Sequence, residues 1–334
     1  MVTSRHCFSL AAGGLIAAVL NAPALAQQGA EFFKGKTVSY IVATAAGGGY
    51  DLYGRLVAEY MQRHLPGSTF VVRNLPGAGH LVGTNTIYAS RADGLTIGTF
   101  NTGLIYNQLV DLPGMKFDLT KMSWIGKATT EPRAFVVAAQ SQIKTFDDLR
   151  TSKLPVNYAT SGIGSANYVE TVMLSSALKL PAKVLTGYNG NEDQLAMRRG
   201  EVIATLGSRS SFEQFVNNGY GRFVAQIGGK DKDVPQLRDL VKDPAAQSLI
   251  ALVQSQGDIA RLTAGPPGIP KPQLDALVEA YRKALQDKEL QEKAAKLERP
   301  VEPGFGDDVL KAVVEALKQS PETVALLADA LKKK

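Results

Sequence analysis

The sequence predicts an α/β protein of two lobes, each built on a doubly wound sheet, with a ligand cleft between the lobes. The chain has 334 residues, which corresponds to about two domains. Apolar runs of strand length alternate with segments of helical periodicity in two separate series. No Gly/Ser-rich or Pro-rich linker separates the series, so we expect short crossings near Thr130 and Ile227. One lobe then comprises residues 27–130 and 227–334, and the other comprises residues 131–226.

The first series has the order β-α-β-α-β. Residues 38–43 are apolar and rich in β-branched side chains, as in a strand buried on both faces of a parallel sheet. Apolar residues at helical spacing follow over 52–61, and 70–72 forms a second strand. A second helix runs from Pro76 to about residue 89, and residues 95–100 form the third strand.

The second series is longer and passes into further strand and helix patterns. Its predicted strands lie near 123–128, 134–138, 156–160, 183–186, 203–206 and 223–227. Its predicted helices lie near 146–151, 166–178, 192–199 and 211–217. A short strand at 262–264 and an amphipathic helix over 274–285 follow. Two crossings without a flexible linker predict a hinge beside the cleft.

The N-terminus has the pattern of a secretory signal peptide, the first 26 residues. Arg5 precedes an apolar run over 8–20, and Ala24-Leu25-Ala26 supplies the small-x-small pattern of a cleavage site. We expect cleavage after Ala26, a mature chain that begins at Gln27, and a periplasmic location. An uncleaved anchor is the alternative, but the apolar run is short for a membrane span. Cys7 lies within the signal, so the mature chain contains no cysteine.

A glycine-rich loop between the first strand and the first helix has the design of an anion site. Without Cβ atoms the backbone N–H groups can approach a ligand closely, and the following helix N-terminus adds partial positive charge. A tight turn is the alternative. We expect Asp51 to act in the first helical turn rather than to bind a cation. The candidate ligand-binding residues of this loop are Ala46, Gly47, Gly48, Gly49 and Tyr50.

A second loop of the same design follows the strand at 156–160. It resembles a dinucleotide fingerprint, but Asn167 occupies the place of the third glycine and no acidic residue ends a strand about 20 residues later. Neither loop ends in the Gly-Lys-Ser/Thr of a P-loop. We therefore predict no nucleotide cofactor. The candidate ligand-binding residues here are Thr160, Ser161, Gly164 and Ser165.

Other candidates follow strands whose carboxyl ends line the crevice of an open α/β sheet. Arg133 and Arg209 could each hold a carboxylate with two hydrogen bonds, and an ion pair within the protein is the alternative. For the polar residues of the remaining loops the alternative is ordinary turn chemistry. Those residues are Asn101, Thr102, Tyr188 and Asn189.

Catalytic, metal and nucleic-acid patterns are missing from the sequence. The mature chain has two histidines, His64 and His80, with no paired spacing for a metal and no Gly-x-Ser-x-Gly elbow. The net charge of +6 comes from scattered basic residues, without a nucleic-acid-binding motif. We predict no metal, no cofactor, no enzymatic activity and no nucleic-acid partner.

Several motifs in order resemble the extracytoplasmic solute receptors of tripartite tricarboxylate transporters, the Bug-type or TctC-like family. They are the opening at 33–38, the Gly-Gly-Gly-x-Asp loop at 47–51, Asn-x-Pro-Gly-Ala-Gly at 74–79, Asp-Gly at 93–94 and the Pro-rich stretch at 264–272. The resemblance covers nearly all of the mature chain.

The resemblance implies a periplasmic binding protein fold of type II that closes on its ligand. It implies capture of a carboxylate by the two glycine loops, partly through water, and delivery to a membrane complex of one large and one small integral subunit. A monomer is expected. Tyr168 stands where many members have His, and Ala45-Ala46 replaces a Pro-rich entry. Arg209 stands near a position that is often acidic in members that bind amino groups. These departures favour a plain mono-, di- or aromatic carboxylate over an amino acid.

The sequence therefore predicts a solute-binding protein for a small organic carboxylate. A sensor module with the same fold and site is the first alternative. A periplasmic lyase or hydrolase that uses His80 as a general base is the second, and a surface protein without a ligand is the third.

Overall fold

The architecture described here comes from a computed structural model, and the structure describes residues 29–332. The predicted signal peptide and its cleavage site lie outside the described residues. Within residues 29–332, no helix combines the length and the apolar character that a membrane crossing requires.

The first lobe begins with the predicted β-α-β-α-β unit, which the structure confirms. Its elements are β1 (Thr37–Val42), α1 (Gly49–Arg63), β2 (Thr69–Asn74), α2 (Leu81–Tyr88) and β3 (Thr96–Phe100). The helix α1 turns one apolar face, including Leu56, Val57 and Tyr60, into the core beside the sheet. A Pro-Gly pair then turns the chain into β2, as the sequence predicts.

The chain passes from the first lobe to the second through residues 130–132. The elements before this connection are α3 (Gly103–Leu109) and β4 (Ser123–Thr129). Those of the second lobe are β5 (Arg133–Ala138), α4 (Phe146–Thr151), β6 (Val156–Ala159), α5 (Ala166–Leu178), β7 (Ala182–Leu185), α6 (Glu192–Arg199), β8 (Ala204–Ser208), α7 (Arg209–Asn217) and β9 (Gly221–Ile227).

The last part of the chain supplies two further strands and six helices in the described residues. They are α8 (Leu237–Leu240), α9 (Pro244–Gly257), β10 (Ala260–Gly265), α10 (Lys271–Gln286), α11 (Lys288–Lys296), β11 (Gly304–Phe305), α12 (Asp307–Leu317) and α13 (Pro321–Lys332).

The two sheets are mixed, and each has a switch point at the cleft. The first has the order β11-β4-β10-β3-β1-β2, with β1 parallel to both β2 and β3 and with β10 antiparallel to β3 and β4. The second has the order β7-β6-β8-β5-β9, with β6 parallel to β7 and β8. Where two neighbouring parallel strands continue into helices on opposite faces of a sheet, the loops that follow the strands separate and leave a crevice. The loops after β1, β3, β6 and β8 therefore surround the cleft.

The lobe boundary differs from the predicted one in three helices, of which the short α8 packs on β9 through the buried Leu237. The prediction assigns residues 227–334 to the first lobe, and β10 and β11 do join the first sheet. However, α9 and α13 both pack against α5, and their apolar side chains lie in the second lobe's core. An amphipathic pattern shows that one face is buried, but it does not identify the sheet that covers this face.

The two lobes are in direct contact. A Cβ on Gly103, at the start of α3, would lie 2.4 Å from the amide nitrogen of Ala166, at the start of α5. A Cβ on Gly79 would lie 2.1 Å from the carbonyl oxygen of Ile163. The Asn107 side chain also donates to the carbonyl oxygen of Gly164 at 3.0 Å. These contacts across the cleft define a closed arrangement.

Candidate functional site

A small cavity lies in the cleft and is lined from both lobes. Its volume is about 100 Å³, which is small beside the roughly 300–1,000 Å³ of pockets for drug-sized ligands. Residues at the N-terminal ends of four helices, α1, α5, α6 and α7, line it. Helix N-termini carry partial positive charge and unpaired amide groups, so the cavity suits a compact anion.

The first glycine loop is held in place by Asp51. Its carboxylate accepts hydrogen bonds from the Gly47 amide at 3.0 Å, from Arg55 at 3.0 Å and from the Asn74 side chain at 2.8 Å. Asn74 also donates to the Thr44 carbonyl oxygen at 3.0 Å. The predicted role of Asp51 in the first helical turn is confirmed, and this network fixes the loop before a ligand arrives.

The amide groups of Gly48, Gly49 and Tyr50 have no acceptor among residues 29–332. Gly48 is the N-cap of α1 and makes no side-chain cap, and all three residues line the cavity. The first amides of a helix have no acceptor within the helix, so a ligand or water can accept from them. These amides are therefore available to an anion.

In the second glycine loop, backbone amides already donate hydrogen bonds to nearby side chains. The Ser161 amide donates to the Asn167 side chain at 3.3 Å, and the Gly162 amide donates to the Ser165 hydroxyl at 3.3 Å. Ser165 in turn donates to the Gly162 carbonyl oxygen at 2.6 Å. This loop is ordered by the same hydroxyl groups that the sequence suggested for ligand contact.

Arg133 lines the cavity but is already paired. Its Nε donates to Glu170 at 2.7 Å, its Nη2 also donates to Glu170, and its Nη1 donates to Ser208 Oγ at 2.8 Å. The Tyr106 hydroxyl donates to the second oxygen of Glu170 at 3.1 Å. Glu170 is fully buried and Arg133 is 7% exposed. The pair presents a guanidinium to the cavity with its net charge compensated.

A second buried arginine, Arg261, also lines the cavity, and the sequence analysis missed it. It lies on β10 with φ of +59°, which is uncommon for a residue with a side chain, and its guanidinium stacks on the Tyr50 ring at 4.1 Å. Its Nη2 lies 3.2 Å from Glu131 and 3.3 Å from Ser211. Its buried Nε has no hydrogen-bond partner in the described residues. In the sequence, the signal for this residue is its position directly before the apolar run 262–264.

Arg209 does not reach the cavity, so the prediction that it holds the carboxylate needs correction. Its guanidinium donates to Glu213 at 2.7 Å, to Asp231 at 2.6 Å and to Gln226 at 3.3 Å. These partners line a separate cavity beside the connection between the lobes. Because α7 starts directly after β8, the Arg209 side chain turns towards β9 and away from the cleft. Arg209 therefore forms ion pairs within the protein, which is the alternative given for it in the sequence analysis.

The structure brings seven of the fifteen predicted residues to the cavity. The first lobe contributes Gly48, Gly49, Tyr50 and Asn101, and the second contributes Arg133, Ser161 and Asn189. The other eight do not line the cavity. Arg209 lies far from it, and the remaining seven lie near it or behind it. They are Ala46, Gly47, Thr102, Thr160, Gly164, Ser165 and Tyr188. Contact of any of them with a ligand stays a prediction.

His80 lies in the cavity wall as a neutral ring. Its Nδ1 lies 2.8 Å from the Ala43 carbonyl oxygen, so Nδ1 carries the proton that this oxygen accepts. Burial lowers the pKa of His80 to about 4, although the hydrogen bond to Ala43 acts in the opposite direction. A ring with this pKa is a weak base at neutral pH, which disfavours the general-base role.

Replacing His80 with glutamine should change the pH dependence of stability. Because the pKa of His80 is lower in the folded protein than in the unfolded chain, the unfolded state binds more protons between pH 6.5 and 4, and stability falls as the pH falls through that window. The wild-type protein should therefore lose about 2 kcal/mol more than His80→Gln between pH 7 and 4.5. Urea unfolding of both proteins measures this, and equal losses would contradict it.

The described residues hold no group of three or more histidine, cysteine, aspartate or glutamate side chains that could bind a metal ion.

The family model for the tripartite tricarboxylate transporter family receptor, TctC, matches residues 54–324. The chain belongs to this receptor family. The resemblance inferred from the glycine-loop and Pro-Gly motifs is thereby confirmed. A relative from Cupriavidus necator, the UPF0065 protein in the gbd 5' region, is 23% identical over 303 residues and covers 88% of each chain.

Solved structures confirm the two-lobed fold of the receptor. The periplasmic binding protein BugD has a TM-score of 0.72 at 22% identity, covering 88% of this chain and 97% of BugD. MatC from Rhodopseudomonas palustris, solved with malate, has a TM-score of 0.72 at 19% identity, covering 89% and 99%. Rpa4515 from R. palustris, solved with adipate, has a TM-score of 0.71 at 19% identity, covering 88% and 97%.

Proposed function

We propose that this receptor captures a small organic carboxylate in the cleft and delivers it to a tripartite membrane transporter. The observation that carries the proposal is the first turn of α1, where Gly48, Gly49 and Tyr50 line the cavity between the lobes and their amides have no acceptor in the described residues. Two similar structures were solved with the carboxylates malate and adipate. Together these support a carboxylate ligand.

The fixed donors suit rapid capture followed by closure. Asp51 and Asn74 order the first loop in advance, so little ordering entropy is lost on binding. A ligand held by α1 of one lobe and by the helix N-termini of the other stabilises the closed form. A second cavity of about 550 Å³ shares Thr44, His80, Ser161 and Asn189 with the first, which leaves room for a longer ligand beyond the α1 amides.

The remaining parts of the proposal follow from the family. We further propose that this receptor works outside the cytoplasm, as a monomer that docks on a large and a small integral subunit. We propose binding without turnover, since the neutral His80 is a poor base. A sensor would use the same cavity, and only a partner assay separates it from a transport receptor.

A panel of mono-, di-, tri- and aromatic carboxylates should reveal the ligand class by thermal shift. A ligand that binds only the folded, closed protein at a hundredfold excess over its Kd adds about 2.7 kcal/mol of stability. We expect the melting temperature to rise by several degrees with the matching carboxylate. The matched amides, which lack the negative charge, should leave it unchanged.

Two outcomes would count against the proposal. If every carboxylate leaves the melting temperature unchanged, the receptor does not bind this class. If a bound carboxylate is recovered as a different compound after incubation, the protein is an enzyme.

A further inference from the structure

Asp193 is an acid in the wall of a cavity that suits an anion. It lies in the first turn of α6, lines the same cavity as the α1 amides and is 7% exposed. One carboxyl oxygen accepts from the Gln194 amide at 2.7 Å. No lysine or arginine of residues 29–332 lies within ion-pair distance of Asp193, so its charge, unlike that of its neighbours, is uncompensated.

The two arginines that line the cavity are already paired with carboxylates. Arg133 is paired with Glu170, and Arg261 is paired with Glu131. An ionised Asp193 and a carboxylate ligand would therefore place two like charges in about 100 Å³ with no free cation between them. Like charges at close range in a buried site favour protonation of one of them.

The groups around Asp193 do not supply a counter-charge. On its own helix the exposed Glu192 disfavours a second negative charge. From α7, Ser211 and Phe212 line the cavity and are uncharged. The titratable groups that line the cavity from other elements are Tyr50 on α1, the neutral His80 before α2, Arg133 on β5 and Arg261 on β10.

We propose that Asp193 enters the ligand complex as a neutral carboxylic acid that donates a hydrogen bond to an oxygen of the bound carboxylate, so that above neutral pH the receptor takes up one proton with its ligand. The inference rests on the proposed function. It makes Asp193 a specificity-determining residue that requires an acceptor oxygen on the ligand, and it disfavours a ligand whose ammonium group would face this wall.

The direction of the effect follows from linkage. Burial raises the pKa of Asp193 to about 7, so the free receptor loses this proton just above neutral pH. A nearby ligand anion raises the pKa further. Since the carboxyl groups of small aliphatic acids, including the second group of a dicarboxylic acid, are largely ionised by pH 6.5, the ligand's own charge changes little above that pH. Affinity should then fall about eightfold between pH 6.5 and 8.0.

Calorimetry at pH 6.5 and 8.0 with malate, adipate and succinate tests this. The wild-type Kd should rise about eightfold with pH for the carboxylate that binds, and binding in buffers of different ionisation enthalpy should show proton uptake. Asp193→Asn keeps a neutral donor, so its Kd should be the same at both pH values and close to the wild-type value at pH 6.5. Asp308→Asn makes the same change at an exposed aspartate on α12, outside the cavity, and should keep the wild-type pH dependence.

The ligand-free proteins give a second readout. Because the pKa of Asp193 is higher in the folded protein than in the unfolded chain, wild-type stability is lost as pH rises from about 4 to 7. Asp193→Asn should therefore raise the melting temperature at pH 8 more than at pH 5.

Binding that is independent of pH, or that strengthens with pH and is lost in Asp193→Asn, would overturn this inference alone. The second pattern would show an ionised Asp193 that accepts from the ligand. No binding of any carboxylate by either protein at either pH would overturn the proposed function, and this inference with it.

Discussion

Replacing Gly48 with valine should abolish detectable carboxylate binding while the fold survives. The Gly48 φ of −86° is open to any residue, so the backbone is not strained. A Cβ there would lie 3.1 Å from the Gly190 Cα in the facing lobe, and the valine methyl groups would extend beyond it into the closed cleft. We expect at least a hundredfold loss of affinity by calorimetry, about 2.7 kcal/mol, with an unchanged circular dichroism spectrum.

Two variants control this result. Gly48→Ala adds only the Cβ, which a shift of a few tenths of an ångström accommodates, so its loss should be intermediate. Arg209→Ala removes a guanidinium that lies outside the cavity, so its affinity should match the wild type. Full affinity in Gly48→Val with an intact fold would mean that the first glycine loop is only a turn.

Replacing Glu170 with glutamine should strongly destabilise the ligand-free receptor. This change leaves the buried Arg133 without its counter-charge. Breaking a buried ion pair by removing one partner typically costs about 3–5 kcal/mol, and denaturant unfolding should show a loss of that size. A carboxylate ligand should then stabilise Glu170→Gln more than the wild type, because the ligand charge replaces the missing one.

The double variant Arg133→Met, Glu170→Leu separates charge from packing. Replacing both partners by apolar side chains of similar size is often neutral, so most of the lost stability should return. A loss below about 1 kcal/mol in Glu170→Gln would show that the pair is solvated, in the range of surface ion pairs.

Local patterns in the sequence predict much of the fold and one wall of the site. The apolar run of β1, the helical spacing in α1 and the intervening glycines are all contiguous, so the anion-binding loop could be located. The role of Asp51 follows from its place in the first helical turn. These features depend on residues within a few positions of one another.

The rest of the site depends on partners that are distant in sequence. Arg209 and Arg261 both adjoin strands, and their neighbours in sequence do not reveal which one lines the cleft. The structure decides it, because Arg261 meets Glu131, 130 residues earlier, whereas Arg209 meets Asp231 on the far side. The sequence does not single out Asp193, because an acid in a first helical turn is ordinary and its burial depends on tertiary packing.

The C-terminal helix ties the two lobes together a third time. The helix α12 packs in the first lobe through Val309 and Val313, whereas α13 packs on the second through Leu327. Only residues 318–320 separate the two helices, and a fully extended chain over that stretch spans about 14 Å. The segment is thus a third connection between the lobes, remote from the cavity, and it bounds how far the facing ends of α12 and α13 can separate for as long as α13 stays docked.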